Sequence, residues 1–514
     1  MALCFIHYNI SFSICTVFKN IFLIYLEKNI DNRGQKEYNN HILLGEEDSM
    51  AKTKRDLTEG PLFLPMISFV IPIILTGMLQ ILYNMADNIV VGRFSGDELA
   101  LAAVGSTSSL SNLIINLLMG IAGGAGVVVA QSYGAKDKER LSRAVHTSVL
   151  LSVIGGILFC LIGLIISRPA LSIMDTKDEL MSRALLYLRI ICLGIPASGV
   201  YNFGAAILRS VGDSKTPLII LSSTGLINVL LNLLFVIAFG MSVDGVALAT
   251  IASQYVSAVA VVYILFKRRE QPYALDKSKL KLDRDLLSDI LRLGLPAGFQ
   301  GTLFSISNII LTSGMNTLPT TDISGKTIAI NIEGLVYTAM NSYLHASTTF
   351  TGQNFGAKKP ERIKKSIIYA VLQVLIVGFF GGMLLLAFGE PLAKLYIDAN
   401  DPNRVEVLRA ALELMTFMLS CYFLCGIMDT LSGALRGLGY SMIPMIVSIG
   451  AICVLRAIWV FCVFPMERFH SLIGIYTIYP ISWSLGIIFN TIALLVIYPK
   501  VKKSMISETK ITAE

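Results

Sequence analysis

Two short motifs occur twice in this 514-residue chain, and in the same order. Gln131-Ser-Tyr-Gly134-Ala135-Lys136 returns as Gln353-Asn-Phe-Gly356-Ala357-Lys358, with Glu139-Arg140 and Glu361-Arg362 following at the same distance. Arg209-Ser-Val-Gly212-Asp-Ser214-Lys-Thr-Pro217 returns as Arg436-Gly-Leu-Gly439-Tyr-Ser441-Met-Ile-Pro444. The first pair lies 222 residues apart and the second 227, so spacing is kept along with the letters. A chain with this pattern folds as two homologous halves, and in an apolar chain it points to a transporter with its pathway between them.

With 54% hydrophobic and only 15% charged residues, the chain is too apolar for a soluble domain of its length. Twelve stretches of membrane-spanning length follow one another, at roughly 62–90, 100–128, 144–167, 184–208, 217–240, 245–266, 290–315, 327–350, 366–389, 405–432, 441–464 and 473–498. The net charge of +7 follows topology and is not a nucleic-acid signal. Alternate loops are basic, at Lys136 to Arg143, Arg209 and Lys215, Lys267 to Arg292, Lys358 to Lys365, Arg436, and Lys500 to Lys503. The loops between them are acidic or mixed, as at Asp97-Glu98, Asp175 to Glu179 and Asp398 to Glu406. The positive-inside rule places the basic loops and both ends of the core in the cytoplasm of a multi-pass protein of the inner (plasma) membrane. An even number of spans per half sets the halves the same way up, as parallel repeats about the membrane normal. The expected organisation is an N-lobe over 50–268 with spans 1–6, a cytoplasmic linker at 269–289, a C-lobe over 290–503 with spans 7–12, and a cytoplasmic tail at 504–514.

An ionisable residue at membrane depth costs roughly 2.5–3.5 kcal/mol on insertion scales and is a functional candidate by default. Asp87, Glu333, His345, Asp429 and Arg456 qualify, with Arg189 near a helix end. Tyr83 lies one turn before Asp87 on the first span, and Asn228 and Asn232 repeat that spacing on the fifth. Asp429 stands seven residues before Arg436, as Asn202 stands seven before Arg209, so the C-lobe carries an acid where the N-lobe carries an amide. Structural roles stand beside the functional ones: amides join helices by hydrogen bonds, Glu333 and Arg456 neutralise one another, and Asp429 bridges or caps a helix end. A lone His345 on an apolar helix reads as packing. Glycines 134, 356, 212 and 439 suit tight turns, while the lysines and arginines of the repeated loops anchor to anionic headgroups. The eight cysteines form no framework, since six sit in apolar segments as small hydrophobes, and no residue spacing suggests a metal site. Glycine runs such as Gly120 to Gly126 and Gly381-Gly382 allow close helix packing and lack the Gly-Lys-Ser/Thr of a phosphate loop. With no nucleotide-binding motif and no cofactor, the energy source is an ion gradient.

The motifs resemble the multidrug and toxic compound extrusion (MATE) family, through Leu82-Tyr-Asn-Met-Ala-Asp87, the two Gln-x-x-Gly-Ala-Lys loops and the two Leu-Arg-x-x-Gly-x-Ser-x-x-Pro segments across 57–503. The resemblance implies an all-α membrane protein of two six-helix bundles forming a V with a central cavity. It implies a secondary antiporter that exports cationic amphipathic compounds against H⁺ or Na⁺. The chain is expected to be monomeric in membrane lipid, and with no nucleophile motif or metal-spaced cluster it is expected to be no enzyme. It also implies a cation site at Tyr83, Asp87, Asn228, Asn232 and Thr250. Some family members carry a second acid where this chain has Asn232, and the single carboxylate favours one H⁺ at Asp87 over tight Na⁺ binding. Glu333 resembles a recurring acidic position, and Gln300 and Asp429 fall on spans that carry C-lobe acids in some members. The alternative is a lipid-linked oligosaccharide flippase of the related superfamily, which usually needs a basic cavity; here Arg456 and Arg189 face three intramembrane acids.

Residues 1–49 belong to neither repeat. They are rich in Phe, Tyr, Met, Ile, Asn and Lys, whose codons are A/T-rich, and Gly45-Glu46 is encodable as a purine run just upstream of Met50. Met50-Ala-Lys-Thr-Lys-Arg55 reads as a natural cytoplasmic start, so the chain is expected to begin at Met50. The rival is an added hydrophobic helix at about 3–26, interrupted by Lys19 and without a secretory cleavage signature. Mass spectrometry of the purified protein should find an N-terminus at Met50; peptides from 1–49 would refute it.

Overall fold

At membrane depth a backbone N–H or C=O has no water to bond, so apolar runs of this length satisfy their polar groups internally as helices. A computed structural model describes residues 56–97, 99–174, 176–398 and 401–511, and every regular element among them is helical. The segment 1–49 and the start at Met50 lie outside the described residues. The N-lobe holds α1 (Phe63–Phe94), α2 (Ala100–Gly134), α3 (Lys138–Ile173), α4 (Asp178–Ser210), α5 (Lys215–Ala238) and α6 (Val243–Lys267). The C-lobe holds α7 (Arg284–Met315), α8 (Thr320–Gly356), α9 (Pro360–Ala387), α10 (Arg404–Cys421 and Phe423–Gly437, bent by 43°), α11 (Met442–Val463) and α12 (Ile478–Ile511). Among the described residues nine helices are long and apolar enough to cross a membrane, or ten with the bent pair counted as one. The two below that threshold, α7 and α8, carry the polar residues Ser305, Ser307, Asn308, Asn341, Thr348 and Thr349. Helices also run past the expected spans: α8 begins at Thr320 and ends at Gly356, because caps and loops, not hydropathy, end a helix.

The two hydrophobic cores exchange their first helices. Met66, Phe69 and Val70 of α1 lie in one core with Phe350, Ala370, Met415 and Leu435 of the C-lobe. Leu286, Ile290 and Leu293 of α7 lie in the other with Val128, Val145 and Ile207 of the N-lobe. The polar anchors follow the same exchange. Arg362 donates to the carbonyls of Leu57, Glu59 and Gly60 ahead of α1, and Gln373 donates to that of Phe63. Arg140 pairs with Asp289 at 3.1 Å and Arg143 with Asp283 at 2.9 Å, both at the start of α7. The expected headgroup anchoring therefore does not describe Arg140 or Arg362, which hold the first helix of the opposite lobe.

The repeated motifs meet each other at this end of the molecule. Gln131 on α2 donates to the Gly437 carbonyl at the end of α10 (2.9 Å), and Gln353 on α8 donates to the Ser210 carbonyl at the end of α4 (2.7 Å). Both acceptors directly follow the motif arginine, so the two bonds are pseudo-symmetric copies. Gly212 and Gly439 turn the chain with φ of 89° and 92°, as expected. Gly134 and Gly356 do not: they are helical, and the left-handed residues are Lys136 and Lys358. Those two glycines serve close approach, since a Cβ on Gly134 would fall 1.9 Å from the Gln353 carbonyl oxygen and one on Gly356 equally near that of Gln131.

Between the lobes, the backbones of α2 and α7 touch at Gly120 against Gly298 and Gly124 against Gly294. Gly124→Ala should destabilise the protein by about 1–3 kcal/mol, because the methyl would meet backbone that has no rotamer to yield. Gly123→Ala, whose Cβ meets nothing within 4 Å, should be neutral. Thermal unfolding in detergent checks this, and equal shifts for the two variants would contradict it.

Candidate ion and substrate sites

Helical periodicity puts Tyr83 and Asp87 on one stripe of α1, and Asn228 and Asn232 on one stripe of α5. The fold turns these stripes together and adds Thr250 from α6. Asp87 Oδ1 accepts from Asn232 Nδ2 at 2.5 Å, and its Oδ2 accepts from the Thr250 hydroxyl at 3.5 Å. Asn232 Nδ2 also approaches Asn228 Oδ1 at 3.4 Å. Both asparagines are buried, and the Asn232 Oδ1 atom has no hydrogen-bond partner. Tyr83 is held differently. Its hydroxyl donates to the Ser222 carbonyl at 3.2 Å instead of to Asp87, and its ring packs on Gly225, where a Cβ would overlap it. Two residues after Asn232, α5 widens into a π-helix over Leu234–Ala238. The site thus offers a half-buried carboxylate whose hydrogen bonds come from neutral groups, beside an unpaired amide oxygen.

A cavity of about 340 Å³ lies between the lobes and is lined by Asn202 and Arg209 from α4, Gln300 from α7, His345 from α8, and Asp429 and Arg436 from α10. Asn202 and Asp429 therefore face one space, as their matched positions in the two motifs suggest. Asn202 donates to the Ser198 carbonyl at 2.8 Å. Arg436 reaches Gln300 Oε1 at 2.5 Å, and Gln300 in turn donates to Ser448 at 2.8 Å. Tyr337 and Asn341 of α8 line the same wall as Asp429. His345 lines the cavity wall beside them.

A second compartment of about 510 Å³ extends into the C-lobe and shares Asn116, Gly301, Phe304 and Tyr337 with the first. Glu333 and Arg456 both line it, yet they form no ion pair with each other. Arg456 is bonded to Ser482 and Asn308, and Glu333 Oε1 is buried with no hydrogen-bond partner. Sequence reasoning placed the membrane-depth charges but missed the bonds of Gln131 and Gln353, whose repetition was the available signal. It also missed the aromatic wall of Tyr422, Tyr476, Tyr479 and Trp483, because periodicity does not say which aromatic faces a cavity. No group of three or more potential metal ligands occurs among the described residues.

The comparisons with known proteins agree with this architecture. The MatE family model matches residues 72–234 and 296–461, one match per lobe. The probable multidrug resistance protein YoeA of Bacillus subtilis is 28% identical over 429 residues, covering 82% of this chain and 90% of the relative. The probable multidrug resistance protein NorM of Thermotoga maritima is 27% identical over 392 residues, covering 74% of this chain and 82% of the relative. Among solved structures, an outward-facing multidrug resistance MATE family transporter of the MOP superfamily superposes with a TM-score of 0.79 at 24% identity, over 88% of this chain and 99% of that one. With the family match spanning both lobes and the helices meeting as two bundles around a shared cavity, this multi-pass membrane protein belongs to the MatE family, the multidrug and toxic compound extrusion transporters.

Proposed function

We propose that this transporter is a secondary active antiporter that exports cationic amphipathic compounds in exchange for H⁺, with Asp87 as the coupling group. The observation that carries the reading is the setting of that carboxylate: Asn232 and Thr250 hydrogen-bond it, and no cationic side chain pairs with it among the described residues. A half-buried acid at membrane depth that no cationic side chain neutralises binds a proton or a metal cation. One carboxylate among amides and a hydroxyl supplies less charge than a hard Na⁺ ion favours, which supports H⁺ over Na⁺. Tyr83 positions α1 against α5 through Ser222, and Asn228 extends the polar wall.

Asn202, Gln300 and Asp429 offer a substrate polar contacts of the N-lobe and C-lobe on one cavity, and Glu333 offers a carboxyl group in the compartment beyond. In the resulting cycle, a proton reaching Asp87 favours the state that releases drug outside, and its loss to the cytoplasm favours the state that accepts drug. The ion must bind the two states with different affinity for this to occur. The names of the relatives, the duplicated lobes and the basic loops support export across the inner membrane with the core termini in the cytoplasm. The protein is expected to act as a monomer, without nucleotide, nucleic acid or cofactor.

Ethidium efflux from drug-sensitive cells tests the reading. An imposed pH gradient should drive efflux by the wild type, and Asp87→Asn should lose it while still reaching the membrane. Full ion-driven efflux by that variant would sink the proposal. Asn232→Asp supplies a second acid and should make efflux responsive to a Na⁺ gradient; continued dependence on pH alone would contradict the charge argument.

A further inference from the structure

The two lobes carry the same polar site with opposite charge. In the N-lobe, an acid on the first helix (Asp87) meets an amide on the fifth (Asn232) and a hydroxyl on the sixth (Thr250). In the C-lobe, an amide on the first helix (Asn308) meets a guanidinium on the fifth (Arg456) and a hydroxyl on the sixth (Ser482). Asn308 follows Asp87 by 221 residues and Arg456 follows Asn232 by 224, close to the spacing of the repeated motifs. The fifth helix also widens beside the polar residue in both lobes, over Leu234–Ala238 in one and over Ile449–Val454 and Trp459–Val463 in the other. π-helical turns of this kind are frequent at functional sites.

From this juxtaposition we infer that Arg456 is the centre of an anion site in the C-lobe, and that it takes the carboxylate of an aromatic or amphipathic monoanion. Arg456 is 1% exposed and lies at membrane depth, where an unpaired charge is costly. None of its hydrogen bonds or ion pairs among the described residues reaches a carboxylate. Nη1 donates to Asn308 Oδ1 at 3.3 Å, Nε and Nη2 share Ser482 Oγ at 3.4 and 3.3 Å, and the planar group lies 4.1 Å from the centre of the Tyr479 ring. These contacts are long and neutral, so they orient the guanidinium without satisfying its charge or its five donors. Such a fork binds a carboxylate by two parallel bonds.

The surroundings define the rest of the ligand. The compartment of about 510 Å³ has Tyr337, Tyr422 and Trp483 on its walls, which suits an aromatic body. Lys326 and Glu333 line the same compartment, so together with Arg456 its ionisable side chains leave one positive charge, which a dianion such as a phosphate monoester would exceed. A monoanion fits that charge count. The inference is separate from the coupling role of Asp87, because it concerns binding at the other lobe and needs no ion gradient.

The chain has two tryptophans, and Trp483 lines the compartment, so its fluorescence in a Trp459→Phe background reads occupancy. The probes are 2-naphthoate and its neutral isostere 2-naphthamide, titrated into protein in lipid nanodiscs. Naphthoate should bind more tightly than the amide. Arg456→Gln should weaken naphthoate roughly tenfold or more and leave the amide unchanged, by the loss of a charge-assisted pair. Arg456→Lys keeps the charge but loses the fork, and should fall between the two. It keeps the test decisive where Arg456→Gln fails to fold. Equal affinity for both probes, no naphthoate binding by folded wild type, or equal weakening of both probes in the variants would overturn the assignment; the last of these marks Arg456 as a packing residue.

Discussion

At membrane depth a polar group that the protein does not satisfy has no water to turn to, and nearly every specific feature of this molecule answers to that cost. It forces the backbone into helices. It also explains why polar side chains at this depth are paired across helices: Asp87 with Asn232 and Thr250, Arg436 with Gln300, Arg456 with Asn308 and Ser482. Two of the buried atoms left without a partner among the described residues, Asn232 Oδ1 and Glu333 Oε1, lie beside the Asp87 cluster and on the C-lobe compartment, where a ligand can complete them. Unlike the apolar surface, which lipid covers, these atoms have no cheap alternative.

The same economy shapes the junction of the lobes. Small residues let α2 and α7 touch through backbone, and the two glutamines close the basic end by bonding carbonyls that a helix terminus leaves open. Each of those bonds joins the second or eighth helix to a helix end of the opposite lobe. Because α1 and α7 begin in the opposite lobe's core, a change of angle between the lobes must bend or slide these two helices. Asp87 sits on the far half of α1, beyond the exchanged segment. Its charge state is therefore well placed to bear on how α1 rests against α5.

Much of this was legible in the residues. Hydropathy marks nine of the twelve helices, or ten with the bent α10, loop charge and spacing supply α7 and α8, and the repeated motifs mark two halves. The membrane-depth acids pick out Asp87, and one helical turn links Asn228 to Asn232. Other features depend on tertiary geometry that no local pattern encodes. Tyr83 shares a stripe with Asp87, yet its hydroxyl finds a carbonyl on α5, since Gly225 opens the space for its ring. Gly134 and Gly356 read as turn residues, but they mark backbone contact between lobes, which becomes visible only when both motifs are placed together. Arg456 and Glu333 read as a natural ion pair by charge alone; their helices hold them apart on the wall of one compartment.

If Asp87 is the coupling group, its proton sets the angle between the lobes. Phe239 and Met466, in the loops after α5 and α11, are exposed at matching positions of the two lobes. Spin labels at Phe239→Cys and Met466→Cys, in an otherwise cysteine-free protein in nanodiscs, report that angle as a distance by pulsed dipolar spectroscopy. The account predicts a distance distribution that shifts between acidic and alkaline pH and becomes independent of pH in Asp87→Asn. The same pH-dependent shift in that variant would contradict it.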